Sequence, residues 1–190
     1  LYTLRAARAN YDAAEAGNLS EGEKQKIRDA ARQQFTDVLI QNKARQEEVL
    51  KKLADPNGWP SNEQWNLIQR YPDELFTAAR IFRVSAPPGL DGRWIATRLI
   101  DHLHGFTRML PNPDDPDDKL NELVPLWWDA AELKLRLALE IAGSGGPSAK
   151  AAASKGVAFG RKVLFESGGN ADGPERARAI ENLIKELERK

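Results

Sequence analysis

The polar residues with the most suggestive spacing for chemistry lie between residues 97 and 108. Steps of four, three and four residues place four side chains on one face of a helix: Thr97, Asp101, His104 and Arg108. A carboxylate beside an imidazole can orient the ring and raise its basicity, as a general base requires, and an arginine can hold an anionic group. Asp101, His104 and Arg108 are therefore the candidate catalytic residues. The alternative is a solvated helix face stabilised by local ion pairs.

Metal chemistry has weaker support in the sequence. The two histidines, His102 and His104, are two residues apart, so on an intact helix they point to different sides and do not share one ion. With no cysteine, any further zinc ligands would have to be carboxylates. The four aspartates of residues 114–118 lack the ligand spacing of an EF-hand loop and are better explained as caps of the following helix. The sequence therefore predicts no metal site and no cofactor.

A basic stretch without a single Asp or Glu extends from Ser144 to Phe165. Its four cations are Lys150, Lys155, Arg161 and Lys162. Uncompensated positive charge attracts phosphate groups, so these residues are the candidates for binding nucleic acid or another anion. Anionic lipid and an acidic protein partner are alternative ligands, and an ordinary solvated helix face is the alternative to any ligand.

Candidate protein contacts come from residue types that dominate interfaces. Between Leu53 and Asp118 every basic residue is an arginine, and aromatic residues alternate with them, a mixture typical of interface hot spots. Helical spacing places Trp128 at the edge of an apolar stripe, where it is either exposed or partly buried against a neighbouring helix. Leu187 ends the last such stripe, which either packs into the core or pairs with a helix of another subunit. We predict partner contacts at Arg45, Arg80, Arg83, Trp128 and Leu187.

Composition excludes several classes of protein. The chain has 190 residues, with 28 Lys and Arg balanced by 28 Asp and Glu, and it has no Cys. No uncharged apolar window reaches the roughly 18 residues that a membrane helix needs, and a disulfide scaffold or thiolate metal site is impossible. Zero net charge argues against a strongly basic nucleic-acid binder. We expect a soluble, cytoplasmic protein, with a periplasmic or secreted one after signal removal as the alternative.

Helical periodicity along the chain predicts an all-α fold, a multi-helix bundle of six to eight helices. One long helix is predicted over about residues 20–54, starting at a capping box of Ser20 and Glu23. Its apolar stripe weakens between Gln41 and Glu48, which predicts a solvated projection or a docking surface there. Residues 149–166 fit a helix, but a strand is the alternative around Val163.

The glycine-rich run at residues 143–148 is the best candidate for a boundary. We predict a helical bundle core over residues 1–142, a Gly/Ser/Pro hinge over 143–148, and a C-terminal helical segment over 149–190 packed on the same domain.

These observations favour a non-enzymatic helical protein that acts in protein–protein interaction, as an assembly subunit or adaptor, through a protein partner or self-association. The first alternative is a nucleic-acid-associated helical protein that uses the basic residues 150–162. The second is an enzyme or ligand pocket around Asp101, His104 and Arg108.

Overall fold

The computed structural model describes residues 2–40, 42–58, 72–106, 124–166 and 174–190. Over these ranges the chain is all-α, as predicted, and forms no strand. The helices are α1 (Tyr2–Ala16), α2 (Glu21–Leu39), α3 (Gln46–Ala54), α4 (Pro72–Val84), α5 (Gly92–Phe106), α6 (Val124–Gly143), α7 (Ala149–Glu166) and α8 (Pro174–Leu187).

The chain divides within α5 into two compact units, Leu1–Leu99 and Ile100–Lys190. In the first unit α1, α2 and α4 pack on one another. Fully buried side chains fill the core between them, among them Phe35, Ile81 and Phe82. The predicted capping box opens α2: Ser20 Oγ accepts a hydrogen bond from the Glu23 amide, and the Glu23 carboxylate accepts one from the Ser20 amide at 3.0 Å.

The prediction of one uninterrupted helix over residues 20–54 is wrong. α2 ends at Leu39, a 3₁₀ turn covers Lys43–Arg45, and α3 starts at Gln46. Asn42 begins the 3₁₀ turn by accepting the Ala44 amide proton at 3.2 Å. The Gln46 side chain donates to Ile40 O at 3.1 Å and to Asp37 Oδ1 at 2.9 Å, which ties the start of α3 to the end of α2.

Apolar packing explains why the chain turns at this point. Leu39 and Ile40 line one small cavity with residues of α3, including Val49 and Leu53. In a straight helix Leu39 and Leu53 would be about 21 Å apart along the axis. Only a turn can therefore bring the apolar residues of α2 and those of α3 to one core. The solvent exposure of residues 42–45 agrees with the weak stripe, but the segment is a turn and not a projecting helix.

The second unit contains the bundle of α6, α7 and α8, in which each helix packs on the other two. Its buried core includes Trp127, Leu135, Val163 and Ile180. Residues 149–166 are helical throughout, which resolves the helix-or-strand alternative around Val163 in favour of a helix.

Several predicted features fall outside the described residues or stay predictions. The aspartates of residues 114–118 lie outside the described ranges. The segment at 143–148 contains the end of α6 and the turn into α7, with Gly145 at a φ of 69°, a conformation that suits glycine. Its role as a hinge stays a prediction, as do the predicted domain limits.

Candidate interaction surface

Of the predicted catalytic cluster, the structure describes the side chain of Asp101. The Lys134 ammonium lies 2.5 Å from Asp101 Oδ1, and both side chains are mostly buried. Lys134 Nζ also lies 3.7 Å from the centre of the Phe159 ring, a cation–π contact. Asp101 therefore links α5 to α6 through an ion pair. The His104 side chain and Arg108 lie outside what the structure describes, and the general-base arrangement stays a prediction.

His102 lies on the same helix and is half-buried. Burial disfavours the charged imidazole and lowers the pKa of His102 below its ordinary value of 6.5. Burial therefore favours the neutral form of the ring. Within the described ranges no three His, Asp or Glu side chains converge as a metal site would require.

The predicted contact residues of the first unit have different environments. Arg80 Nη1 lies 3.1 Å from Asp12 Oδ1, and its guanidinium stands 5.2 Å from the centre of the Tyr11 ring. This arginine therefore links α4 to α1. Arg83 is partly exposed on α4, and Arg45 is exposed at the end of the 3₁₀ turn. Contacts of these residues with a partner stay predictions.

Trp128 and Leu187 belong to the core of the second unit. Trp128 is 3% exposed, and its ring meets the Trp127 ring edge to face at a centroid distance of 4.8 Å. Of the two alternatives for Trp128, exposure at the edge of the stripe is wrong and burial against neighbouring helices is right: it joins the buried core that α6, α7 and α8 share. Leu187 is 2% exposed and packs against α7 at Gly156, where small size permits close approach.

All four predicted anion-binding residues are solvent-exposed on α7: Lys150, Lys155, Arg161 and Lys162. Arg161 Nη2 donates to Glu188 Oε1 at 2.7 Å, and the arginine side chain is still 69% exposed. Such an exposed ion pair contributes little to stability, so Arg161 can readily exchange Glu188 for another acidic group. The structure thus places the four cations on the outer side of one helix.

The outer face of α7 also carries a residue that sequence reasoning missed. Phe165 is 85% exposed, more than any other large hydrophobic residue that the structure describes. It follows Ala151 and Ala158 at intervals of seven residues, and all three are exposed. Seven residues are close to two helical turns, so the three side chains form one stripe along the helix. The same spacing was readable in the sequence.

The four cations flank this stripe on both sides. At about 100° per residue, Lys150 and Arg161 project on one side of the stripe, and Lys155 and Lys162 project on the other. Ser154 fills the stripe between the two alanines and is also exposed. We call these eight residues the α7 outer face. It combines an exposed aromatic ring, small residues and flanking positive charge.

Protein-family models, curated proteins and solved structures contain no match to this chain. None of the helices that the structure describes is long and apolar enough to cross a membrane.

A groove also lies between α1 and α2. Its volume is about 600 Å³, and small residues such as Ala13, Gly17 and Ala30 form much of its lining. Among the described residues that line it, Lys26 is the one with a charge, so the groove offers less chemistry for recognition than the α7 outer face.

Proposed function

We propose that this chain is a non-enzymatic protein-interaction module, an adaptor or assembly subunit, and that it binds its partner through the α7 outer face. The observation that carries the proposal is the exposure of Phe165. Burial of a phenylalanine side chain contributes about 1.5–3 kcal/mol, and the described chain leaves that contribution unused. An aromatic anchor surrounded by polar groups is typical of an interface hot spot.

The surroundings of Phe165 support the same function. Ala151 and Ala158 lie in line with it, so a partner can approach the helix closely along its length. Arg161 supplies a guanidinium whose bond to Glu188 lies at the surface. Arginine and aromatic side chains together are enriched at the centres of interfaces.

A photo-crosslinking experiment tests the proposal. Phe165 is replaced by p-benzoyl-phenylalanine in the chain expressed in its source organism. The control places the same residue at Val84, which is exposed on α4 in the first unit. We expect a discrete, protease-sensitive and nuclease-resistant adduct at position 165 that is absent at position 84. Absence of a specific adduct at 165 contradicts the proposal.

Nucleic-acid association is the second candidate function. The observation that favours it is the run of four exposed cations on α7 with no acidic residue between Ser144 and Phe165. It requires salt-sensitive binding of duplex DNA or RNA that is lost when all four cations are changed to alanine. A nuclease-sensitive adduct at position 165 would favour this candidate over the first. No binding at low salt would exclude it.

A further inference from the structure

We propose that the partner of the α7 outer face is an acidic amphipathic helix, which packs along α7 in a heptad register. This inference rests on the proposed function and specifies its partner. The stripe repeats every seven residues at Ala151, Ala158 and Phe165, and Ser154 lies three residues after Ala151 and four before Ala158. Alternating steps of three and four residues are the spacing of a helix–helix seam.

The small residues of the stripe favour a helix as the occupant. α7 already shows on its inner side what small residues permit. A β-carbon added at Gly160 would lie 2.6 Å from Ile184 Cγ1, so α8 approaches as closely as glycine allows. On the outer side Ala151, Ser154 and Ala158 likewise leave room for a second helix at short interaxial distance, while Phe165 anchors one end.

The flanking charges determine the sign of the partner. If Ala151 and Ala158 are the a positions of a heptad, Lys155 and Lys162 lie four residues later at its e positions, which flank the seam. Residues at these positions pair with charges beside the partner's seam, so the partner helix carries Glu or Asp there. A second copy of α7 would bring like charges together, and this face is therefore not a site of symmetric self-association.

The same features disfavour a nucleic acid or an anionic bilayer. Glu188 lies against Arg161 at the edge of the face and would repel a continuous array of phosphates. Ala151 and Ala158 add little apolar area for insertion into lipid. A helix instead needs acidic groups at only a few places along the seam.

The length of the face sets the expected strength of binding. The stripe from Ala151 to Phe165 covers about 21 Å of helix, so a single docked helix buries less area than a standard stable complex does. We therefore expect a transient complex, with a dissociation constant of about 10–100 µM at low salt.

A charge-swap experiment on the full chain tests the inference. The probe is a synthetic 21-residue helical peptide that carries a fluorescent label for anisotropy measurements. It has leucine at the two seam positions of every heptad and glutamate at the positions that flank the seam. A second peptide carries lysine at the flanking positions. We expect the glutamate peptide to bind, and the double variant Lys155→Glu/Lys162→Glu to bind it about tenfold or more weakly. The same variant should gain affinity for the lysine peptide.

Two further variants separate charge from fold and anchor. The variant Lys51→Glu/Lys52→Glu has the same change in net charge, placed on α3, where both lysines are exposed. This variant should bind the glutamate peptide as tightly as the unchanged chain does. Phe165→Ser should weaken binding without altering the helical circular dichroism signal, since its side chain is solvent-exposed.

The outcomes distinguish this inference from the proposed function. If crosslinking at position 165 captures a protein but the charge swap leaves peptide binding unchanged, the acidic-helix inference is wrong and the interaction function stands. If anionic phosphatidylserine vesicles or duplex DNA bind in a Phe165-dependent way and the glutamate peptide does not bind, the inference is wrong. If crosslinking also fails, both proposals are wrong.

Discussion

At the scale of single residues, the Arg28–Glu15 pair makes the stability of the first unit depend on pH. Arg28 Nε donates to Glu15 Oε1 at 2.7 Å, and Nη2 donates to Oε2 at 3.2 Å. This hydrogen bonding by the guanidinium lowers the pKa of Glu15 below its ordinary value of 4.5. The folded state therefore holds the Glu15 carboxylate ionised more strongly than the unfolded state does.

The sign of the pH effect follows from that lowered pKa. Stability from the pair is fully present above about pH 4.5, the unfolded pKa, and is lost as the pH falls through the lower folded pKa. We expect Glu15→Gln to reduce the free energy of unfolding at pH 7 by less than about 1 kcal/mol, because solvent partly screens the pair. In urea titrations the difference between variant and unchanged chain should shrink at pH 3. A difference that stays constant with pH contradicts this account.

The exposure of single charged residues is predictable where the residue type alone carries the information. A run without acidic residues is visible in the sequence, and the four cations within it are exposed on α7. For Trp128 the sequence left exposure and burial against a neighbouring helix both open. Adjacent helical residues diverge by about 100°, and a broad apolar face can hold both Trp127 and Trp128 once α7 and α8 surround α6.

At the scale of elements, the glycines of α7 determine how closely α8 packs. A β-carbon at Gly160 would meet Ile184 Cγ1 at 2.6 Å and Leu135 Cδ2 at 3.3 Å. Alanine is a better helix former than glycine by up to about 1 kcal/mol, but overpacking of a core costs about 1–3 kcal/mol. We expect Gly160→Ala to destabilise the second unit on balance, measured by chemical denaturation.

Gly143→Ala is the matched control for that substitution. Gly143 ends α6 in the same unit, and an added β-carbon there meets no atom within 4 Å. This change should be neutral or slightly stabilising. If Gly160→Ala proves as stable as Gly143→Ala, the close packing of α7 and α8 is not limiting.

Helix ends were predictable where caps, proline or glycine mark them. Ser20 with Glu23 opens α2, as the sequence indicated, and α8 begins at Pro174, a residue type that suits the first turn of a helix. The break between α2 and α3 was not predictable, because no proline or glycine lies between Glu23 and Ala54. There the turn follows from tertiary packing, which brings Leu39 and Leu53 to one cavity.

At the scale of the whole molecule, the chain folds as two compact units that divide inside α5. No residue type marks this position, since the division falls between Leu99 and Ile100 in a continuous helix. Glycine and proline in the sequence mark loops, whereas compact units are defined by contacts between distant parts of the chain. For this reason the sequence predicts a boundary at residues 143–148, where glycine is frequent.

Charge balance over the whole chain controls its solubility. The formal net charge is zero at pH 7 and the isoelectric point is about 7.0, so repulsion between molecules is weakest near neutral pH. At low ionic strength we expect light scattering from the purified chain to be greatest near pH 7 and to fall toward pH 5 and pH 9.

Two charge-reversal variants test whether net charge or the α7 outer face causes the molecules to associate near pH 7. Lys150→Glu/Lys155→Glu and Lys51→Glu/Lys52→Glu each change the formal net charge from zero to −4. If repulsion of the whole molecule governs association, both should move the scattering maximum to the same lower pH, because the two variants have the same net charge. If the α7 variant alone abolishes scattering, association requires the α7 outer face, and an acidic surface of a neighbouring molecule then serves as its ligand.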